Sequence, residues 1–407
     1  MEAHTNAEWV KRAESIFTPN YKPAPIVLTH GEGVYVFDEE GRRYLDLVSG
    51  IAVSALGHGH PALVAAIASQ AQKLIHTSNL YYNEPSIRLG GRLVTHSGLE
   101  RVFFCNSGAE ANEAAIKIAR RFHFDRGDKE RVEIITFEHG FHGRTMGALA
   151  ATAQPKYHEG FEPLPRGFRY ESYGDVARLE AAAGPKTAAI MLEPLQGEGG
   201  VRPAPKGFLK EVRRIADQVG ALVIMDEVQT GLGRTGKLFC HQHEGVRPDV
   251  LTLAKGIGGG LPLGAMLTTQ RIGASLVVGT HATTFGGNPV ATAAGNVVLD
   301  ALESPGFLQQ ITEVGEQLRR GLAEIGRRHG AFTEVRGQGL LIGAELAPSV
   351  SAEAKVLVDH CRRHDVLAHV AGPRVLRLAP PLILDSARAE EGLVAIEAAV
   401  SDALAAR

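Results

Sequence analysis

Apolar residues near the start of the chain fall into short β-rich runs. GVYVF and RYLDL, separated by the turn-like DEEG, predict a hairpin over residues 33–48. From Pro61 to Ile75 the period lengthens, with proline near the first turn and Leu63, Ile67 and Leu74 on one face, which predicts a helix. The middle of the chain alternates apolar runs with helical stretches: RVFFC then AEANEAAIKIARRF; VEIITF; AAIMLE then FLKEVRRIADQVG; ALVIMD; VLTLAK. Strands separated by helices imply crossover connections, and so a largely parallel sheet covered on both faces. Beyond residue 300, Leu308, Ile311, Val314, Leu318, Leu322 and Ile325 follow three-and-four spacing and predict a long helix. VRGQGLLIGAEL and RVLRLAPPLIL then read as strands, so a C-terminal α+β lobe is expected, packed against the N-terminal hairpin.

Bulk properties narrow the function classes. At 407 residues there is room for two or three lobes and an enclosed site. A composition 44% hydrophobic and 22% charged, with a formal net charge of -2, gives no reason to expect nucleic acid or a membrane surface as partner. The opening MEAHTNAEWVKRAESIF mixes charges throughout, and no 18-residue apolar run follows, so neither an export signal nor a transmembrane span is expected. Cys105, Cys240 and Cys361 are odd in number and form no C-x-x-C pair, which points away from disulfides and zinc and toward a reducing, cytoplasmic location.

Ligands of open α/β sheets collect outside the carboxyl ends of the strands, so polar residues ending apolar runs are the candidates for chemistry. Asn106-Ser107-Gly108 follows RVFFC, Glu193 follows AAIML, Asp226 follows ALVIM and Lys255 follows VLTLA. Ser107 with Glu110 three residues on forms a capping-box pattern at a helix start, and Gly108 would let an anion approach the free backbone N–H groups. Alone, the pattern reads more readily as a plain N-cap. Neither a G-x-x-x-x-G-K-[ST] nor a well-placed G-x-G-x-x-G is present for a nucleotide. Lys255 precedes a glycine-dense loop. In isolation it is a solvated charge, but its apolar flanks would desolvate it toward the neutral amine that Schiff-base chemistry needs. A carboxylate at the end of so apolar a run as Asp226 requires a partner, either a protonated pyridine nitrogen or a structural salt bridge or cap. Gln229 could hydrogen-bond a ring substituent. In FHGRT, Phe141 could stack on a flat cofactor and Arg144 clamp a carboxylate, or the two could be a core Phe and a surface Arg. His139, His142 and the HGH at 58–60 lack an H-E-x-x-H arrangement, and no metal site is assigned.

FFCNSGAEANEAAIKIAR, FHGRTMGAL, EPLQGEGG, VIMDEVQTGLGRTG, LTLAKGIGGGLPLGA, HATTFGGNP, VRGQGLLIGAEL and RLAPPLIL occur in one order from about residue 20 to 390. In these stretches the chain resembles the class III aminotransferases of the ornithine, acetylornithine and 4-aminobutyrate type. The resemblance implies the type I pyridoxal-phosphate-dependent transferase fold. That fold has a large domain with a mainly parallel seven-stranded sheet and a small α+β domain formed by the N- and C-terminal parts. The corresponding division is 1–60, 61–295 and 296–407. The implied cofactor is pyridoxal 5′-phosphate, carried by Lys255 in Schiff-base linkage, with Lys255 then shuttling the substrate proton. Asp226 would face the pyridine nitrogen, with Glu227, Val228 and Gln229 beside the ring and Phe141 stacked on it. Ser107, Gly108 and Ala109 would cradle the phosphate.

Thr284 resembles the residue that reaches the phosphate of a neighbouring subunit, with Thr283 near the substrate, which implies a homodimer with shared active sites. Arg144 would bind the substrate carboxylate. Glu198 and Arg377 resemble a pair that opens for glutamate, and Glu193 would shape the same pocket. TSNLYYNEP, GQGLLIGAEL and AGPRVLRLAPPL look like the acetylornithine branch. Ile51 stands where ornithine-specific members place a tyrosine, consistent with an acylated amine, and Tyr21 would line the pocket. The implied reaction moves the δ-amino group of N2-acetylornithine to 2-oxoglutarate in a ping-pong cycle of arginine biosynthesis. Ornithine, succinylornithine, carrier-bound lysine and 4-aminobutyrate are rival donors. An aminomutase acting on glutamate 1-semialdehyde, or a non-catalytic cofactor binder, are readings from other classes.

Overall fold

The computed structural model describes residues 5–405. The mid-chain apolar runs form a seven-stranded sheet in the order Arg101–Cys105, Gly264–Thr268, Val250–Leu253, Leu222–Asp226, Thr187–Leu192, Glu133–Phe137, Phe168–Glu171. Neighbours are parallel except at Gly264–Thr268, which runs antiparallel to both strands beside it. Every residue of Thr187–Leu192 and Leu222–Asp226 is buried, which explains their unbroken apolar character. Successive strand residues face opposite sides. Accordingly Ile134, Ala189, Ile224 and Val250 pack with the helix Gly108–Phe124, whereas Ile135, Ile190, Val223 and Leu251 pack with Phe208–Val219.

The expected hairpin is present as Tyr35–Asp38 and Arg43–Asp46. Leu28–Glu32 adds to one side of it, and Val366–Leu367 from the far end of the chain pairs parallel to the other. The two ends of the chain thus share one sheet. A second C-terminal sheet has the order Phe332–Gln338, Leu341–Leu346, Val375–Leu378, His369–Val370, and the long helix Phe307–His329 packs on it with Ile311, Leu318, Leu322 and Ile325 buried.

Some expectations needed adjustment. The strand expected over RVLRLAPPLIL ends at Leu378, because Pro380 and Pro381 bring no N–H to a ladder. Phe168–Glu171 escaped notice as a half-exposed edge, and Gly264–Thr268 was hidden behind the glycine-rich loop. The helix Pro61–Lys73 buries Leu63, but Leu74 beyond its end is 43% exposed. No helix among the described residues is long and apolar enough to cross a membrane. Cys105, Cys240 and Cys361 are free and buried.

One side chain fastens the small domain to the large one. Arg234, fully buried in the segment after Asp226, donates from Nη1 to the carbonyls of Leu340 (3.0 Å) and Pro380 (2.5 Å). The N–H of Leu340 donates back to the Arg234 carbonyl at 2.9 Å. These carbonyls lie at the same end of the antiparallel pair in which Gly343 is opposite Arg377.

Candidate active site

The carboxyl ends of the central strands open on a cavity of about 460 Å³. Its floor is set by Asp226, the last residue of its strand and only 3% exposed. Burial of a carboxylate is tolerable only with hydrogen bonds. Asp226 Oδ2 accepts from Asn112 Nδ2 and pairs with His142 Nδ1, both at 2.7 Å, while Oδ1 accepts from the Val228 N–H at 3.0 Å. Burial works against a charged imidazole at His142, but the hydrogen bond and charge of Asp226 outweigh it and raise its pKa. Thr252 Oγ1 donates to Asn112 Oδ1 at 2.8 Å, fixing the amide so that its N–H₂ faces the carboxylate. Asn112 and His142 are site residues that the sequence reading missed. A helix residue facing the sheet and a buried polar run directly after Phe141 were the available signals.

Lys255 follows Leu253 by two residues and begins a short 3₁₀ turn, Lys255–Gly258, with φ of +49°. A left-handed lysine carries backbone strain of the kind that collects at functional sites. Its amine has no hydrogen-bond partner among the described residues. Burial pushes its pKa down to about 8, with Arg377 adding to the fall and Glu198, Glu193 and Asp226 opposing it. At pH 8 about half of such amines are neutral, against roughly three in a thousand for an ordinary lysine. In cofactor-free protein, amine acylation at Lys255 should therefore titrate near pH 8, read by peptide mass spectrometry. A profile centred near pH 10.5 would contradict this electrostatic account.

Ser107 caps the helix Gly108–Phe124, its Oγ accepting from the Glu110 N–H at 3.2 Å, and the first N–H groups of that helix have no partner within it. A side chain at position 108 would put Cβ 2.6 Å from Val228 Cγ1, so glycine is what lets the helix start approach the turn after Asp226. Ser107, Gly108, Ala109, Val228 and Gln229 all line the cavity. Phe141 and Arg144 line it too, and Glu193 holds the Phe141 segment by accepting from the Phe141 N–H (2.8 Å) and the Gly197 N–H (3.2 Å). Burial raises the pKa of Glu193, with His142 opposing and Asp226 adding to the rise.

Glu198 lines the cavity and forms an ion pair with Arg377, which is 2% exposed behind it. Burial alone would raise the pKa of Glu198, but Arg377 foremost, then Lys255, hold it below the usual range. Among the described residues Nη2 of Arg377 has no hydrogen-bond partner. Gln229 Nε2 is 3.4 Å from the same Glu198 oxygen.

Other expected residues lie outside this lining. Glu227 points away, accepting from the N–H groups of Cys240 and His241 and pairing with His241 Nδ1. Thr283 Oγ1 accepts from Asn106 Nδ2 at 3.2 Å and thus touches the rim, while Thr284 is exposed. Ile51 is 39% exposed with φ of +66°, two residues before the lining residue Val53. Tyr21 is 81% exposed and lines no part of the cavity.

The arrangement fits a flat, phosphorylated, cation-bearing ring. A helix start with unpaired N–H groups suits a phosphate, the hydrogen-bonded Asp226 a protonated ring nitrogen, and the unpartnered amine of Lys255 an aldehyde.

Known proteins agree with this chemistry. The sequence pattern of the class-III aminotransferases matches residues 16–400. An acetylornithine aminotransferase of Myxococcus xanthus is 50% identical over 377 residues, 92% of this chain and 93% of that one. The crystal structure of N-acetylornithine aminotransferase from Stenotrophomonas maltophilia K279a superposes with a TM-score of 0.86 at 42% identity, covering 98% of this chain and 100% of that one. An ornithine aminotransferase from Toxoplasma gondii, with partial occupancy of PLP at its active site, superposes with a TM-score of 0.95 at 30% identity, covering 100% of this chain and 96% of that one. The chain belongs to the class-III aminotransferases, and it is a pyridoxal-phosphate-dependent enzyme of that family.

Proposed function

We propose that this enzyme transfers the δ-amino group of N2-acetyl-L-ornithine to 2-oxoglutarate by a ping-pong route, as a cytoplasmic step of arginine biosynthesis. The observation that carries the reading is the placement of Lys255 and the Glu198–Arg377 ion pair on one cavity. That pair provides for a second, glutamate-specific half-reaction, which an intramolecular aminomutase would not need.

Bound pyridoxal phosphate supplies an aldehyde that takes up the amino group and a ring that accommodates the electron pair left when a substrate C–H bond breaks. Lys255 carries the cofactor at rest. Once free, its Nζ, whose pKa burial lowers to about 8, would be the base and then the acid that moves the substrate proton. Asp226, oriented by Asn112 and His142, would keep the ring nitrogen protonated. Ser107, Gly108 and Ala109 would hold the phosphate, and Phe141, Val228 and Gln229, which line the same cavity, would hold the ring.

Arg144 binds the α-carboxylate of the donor, and Ile51 meets the acylated amine. When glutamate enters, Glu198 leaves Arg377, which then takes the α-carboxylate; one guanidinium serves two partners in turn. Thr284, which is exposed, would reach the phosphate of a second copy, with Thr283 at the rim of its own site. Leu80, Tyr81, Tyr82 and Phe285 are also exposed, Tyr82 at 95%, as a homodimer interface requires. The same reading divides the chain at 60/61 and 295/296, outside the span of the seven-stranded sheet.

A donor panel with 2-oxoglutarate as acceptor tests the assignment. N2-acetylornithine should show the highest kcat/KM, at least about tenfold above ornithine, whose unpaired α-ammonium is costly to desolvate, and above 4-aminobutyrate, which lacks the acylated amine. A preference for 4-aminobutyrate, or turnover without any 2-oxoacid, would overturn it.

A further inference from the structure

Arg144 lines the mouth of the cavity, yet among the described residues it has neither a hydrogen bond nor an ion pair. What holds it is a ring. Its guanidinium carbon lies 3.8 Å from the centroid of Tyr157, a stacking distance, and 5.6 Å from that of Phe141. The two rings meet edge to face at 6.2 Å. A planar guanidinium on an aromatic face is attracted by the ring quadrupole while its N–H edge stays free to bind a carboxylate.

Tyr157 is itself well anchored. It ends the short 3₁₀ turn Pro155–Tyr157, and its N–H donates to the Gln154 carbonyl at 3.0 Å. Gln154 Nε2 donates to the carbonyls of His139 (3.1 Å) and Gly140 (3.2 Å), tying this turn to the loop that carries Phe141. His158 Nε2 bonds the carbonyls of Thr152 (2.7 Å) and Leu149 (3.1 Å) on the other side. The main chain around Arg144 is fixed as well: Asn112 Nδ2 donates to the His142 carbonyl at 2.7 Å, and Glu113 accepts from Thr145 Oγ1 at 2.6 Å and the Gly147 N–H at 2.9 Å. With its backbone clamped, the orientation of the long Arg144 side chain is left to Tyr157.

We propose that Tyr157 is the positioning residue of the donor site, an aromatic shelf that holds the Arg144 guanidinium ready for the carboxylate of the incoming donor. The inference rests on Arg144 binding that carboxylate. Freezing a flexible arginine before the ligand arrives removes an ordering cost from binding, so the effect falls on half-saturation rather than on the limiting rate. The hydroxyl of Tyr157 plays no part; the ring face does.

The test uses the holoenzyme and two donors, N2-acetylornithine and N-acetyl-1,4-diaminobutane, which is the same amine without the carboxylate. Rapid mixing with each donor alone gives the rate of the first half-reaction against donor concentration. Tyr157→Leu should raise the half-saturating concentration of N2-acetylornithine about five- to tenfold, keep its limiting rate within about twofold, and leave the decarboxylated donor unaffected. Tyr157→Phe, which keeps the ring, should restore the wild-type ratio between the two donors. If Tyr157→Leu weakens both donors equally, or weakens neither, the shelf is refuted while the Arg144 assignment stands. If the wild type fails to prefer the carboxylated donor, the Arg144 assignment falls and the shelf with it.

Discussion

Lys255→Ala should leave no more than about a thousandth of the wild-type turnover, because the variant lacks both the anchor for the aldehyde and the amine that moves the substrate proton. Two measurements check this. Steady-state turnover with N2-acetylornithine and 2-oxoglutarate gives the loss. Borohydride reduction followed by peptide mass spectrometry should fix the cofactor on the peptide containing Lys255 in the wild type and on no peptide in the variant. A variant retaining a tenth of its turnover, or cofactor fixed at another lysine, would remove the basis of the proposed mechanism. The left-handed backbone at Lys255 is not the cause of the loss, since Lys255→Arg keeps the same strain and a charged side chain, yet should be comparably inactive.

Asp226→Asn should lower kcat/KM by about two to three orders of magnitude, second only to the lysine substitution. Asp226 accepts from three donors, and the Asn112 amide is locked by Thr252 with its N–H₂ toward the carboxylate. An asparagine there would point an N–H₂ of its own at one of them. Loss of the carboxylate also removes what keeps the His142 pKa up, so burial should carry His142 below its ordinary value. The variant should therefore lose affinity for the cofactor as well as rate, visible as dissociation during gel filtration. Activity within tenfold of the wild type would show that this carboxylate does not govern the ring.

The floor of the candidate site was readable in the sequence because its residues end unbroken apolar runs of the kind that form buried strands. Asp226 and Lys255 stand one and two residues past such runs, and Ser107 at a helix start after another. Local rules could not supply what depends on distant contacts. Asn112 and His142 meet Asp226 across 114 and 84 residues of sequence, and nothing local to either marks the encounter. Glu227 stands beside Asp226 in the chain, yet strand alternation sends it the other way, to cap the turn at Cys240–His243. Tyr157 went unmarked because a tyrosine in a proline-initiated turn resembles any surface aromatic. Only its 3.8 Å distance to Arg144 distinguishes it.

Arg234 bears on the proposed switch of Arg377 between two substrates. Its guanidinium bolts one end of the ladder holding Arg377 to the segment after Asp226, and the N–H of Ala379, at that same end, is held by the Leu47 carbonyl at 2.8 Å. The platform under Arg377 is thus rigid, and hinge-like gaping between domains is a poor way to expose it. Glu198, by contrast, sits between Gly197 and Gly199, with Gly200 at φ of +103°. In the proposed switch, discrimination would then rest on rotation of the Glu198 carboxylate away from a guanidinium that stays in place.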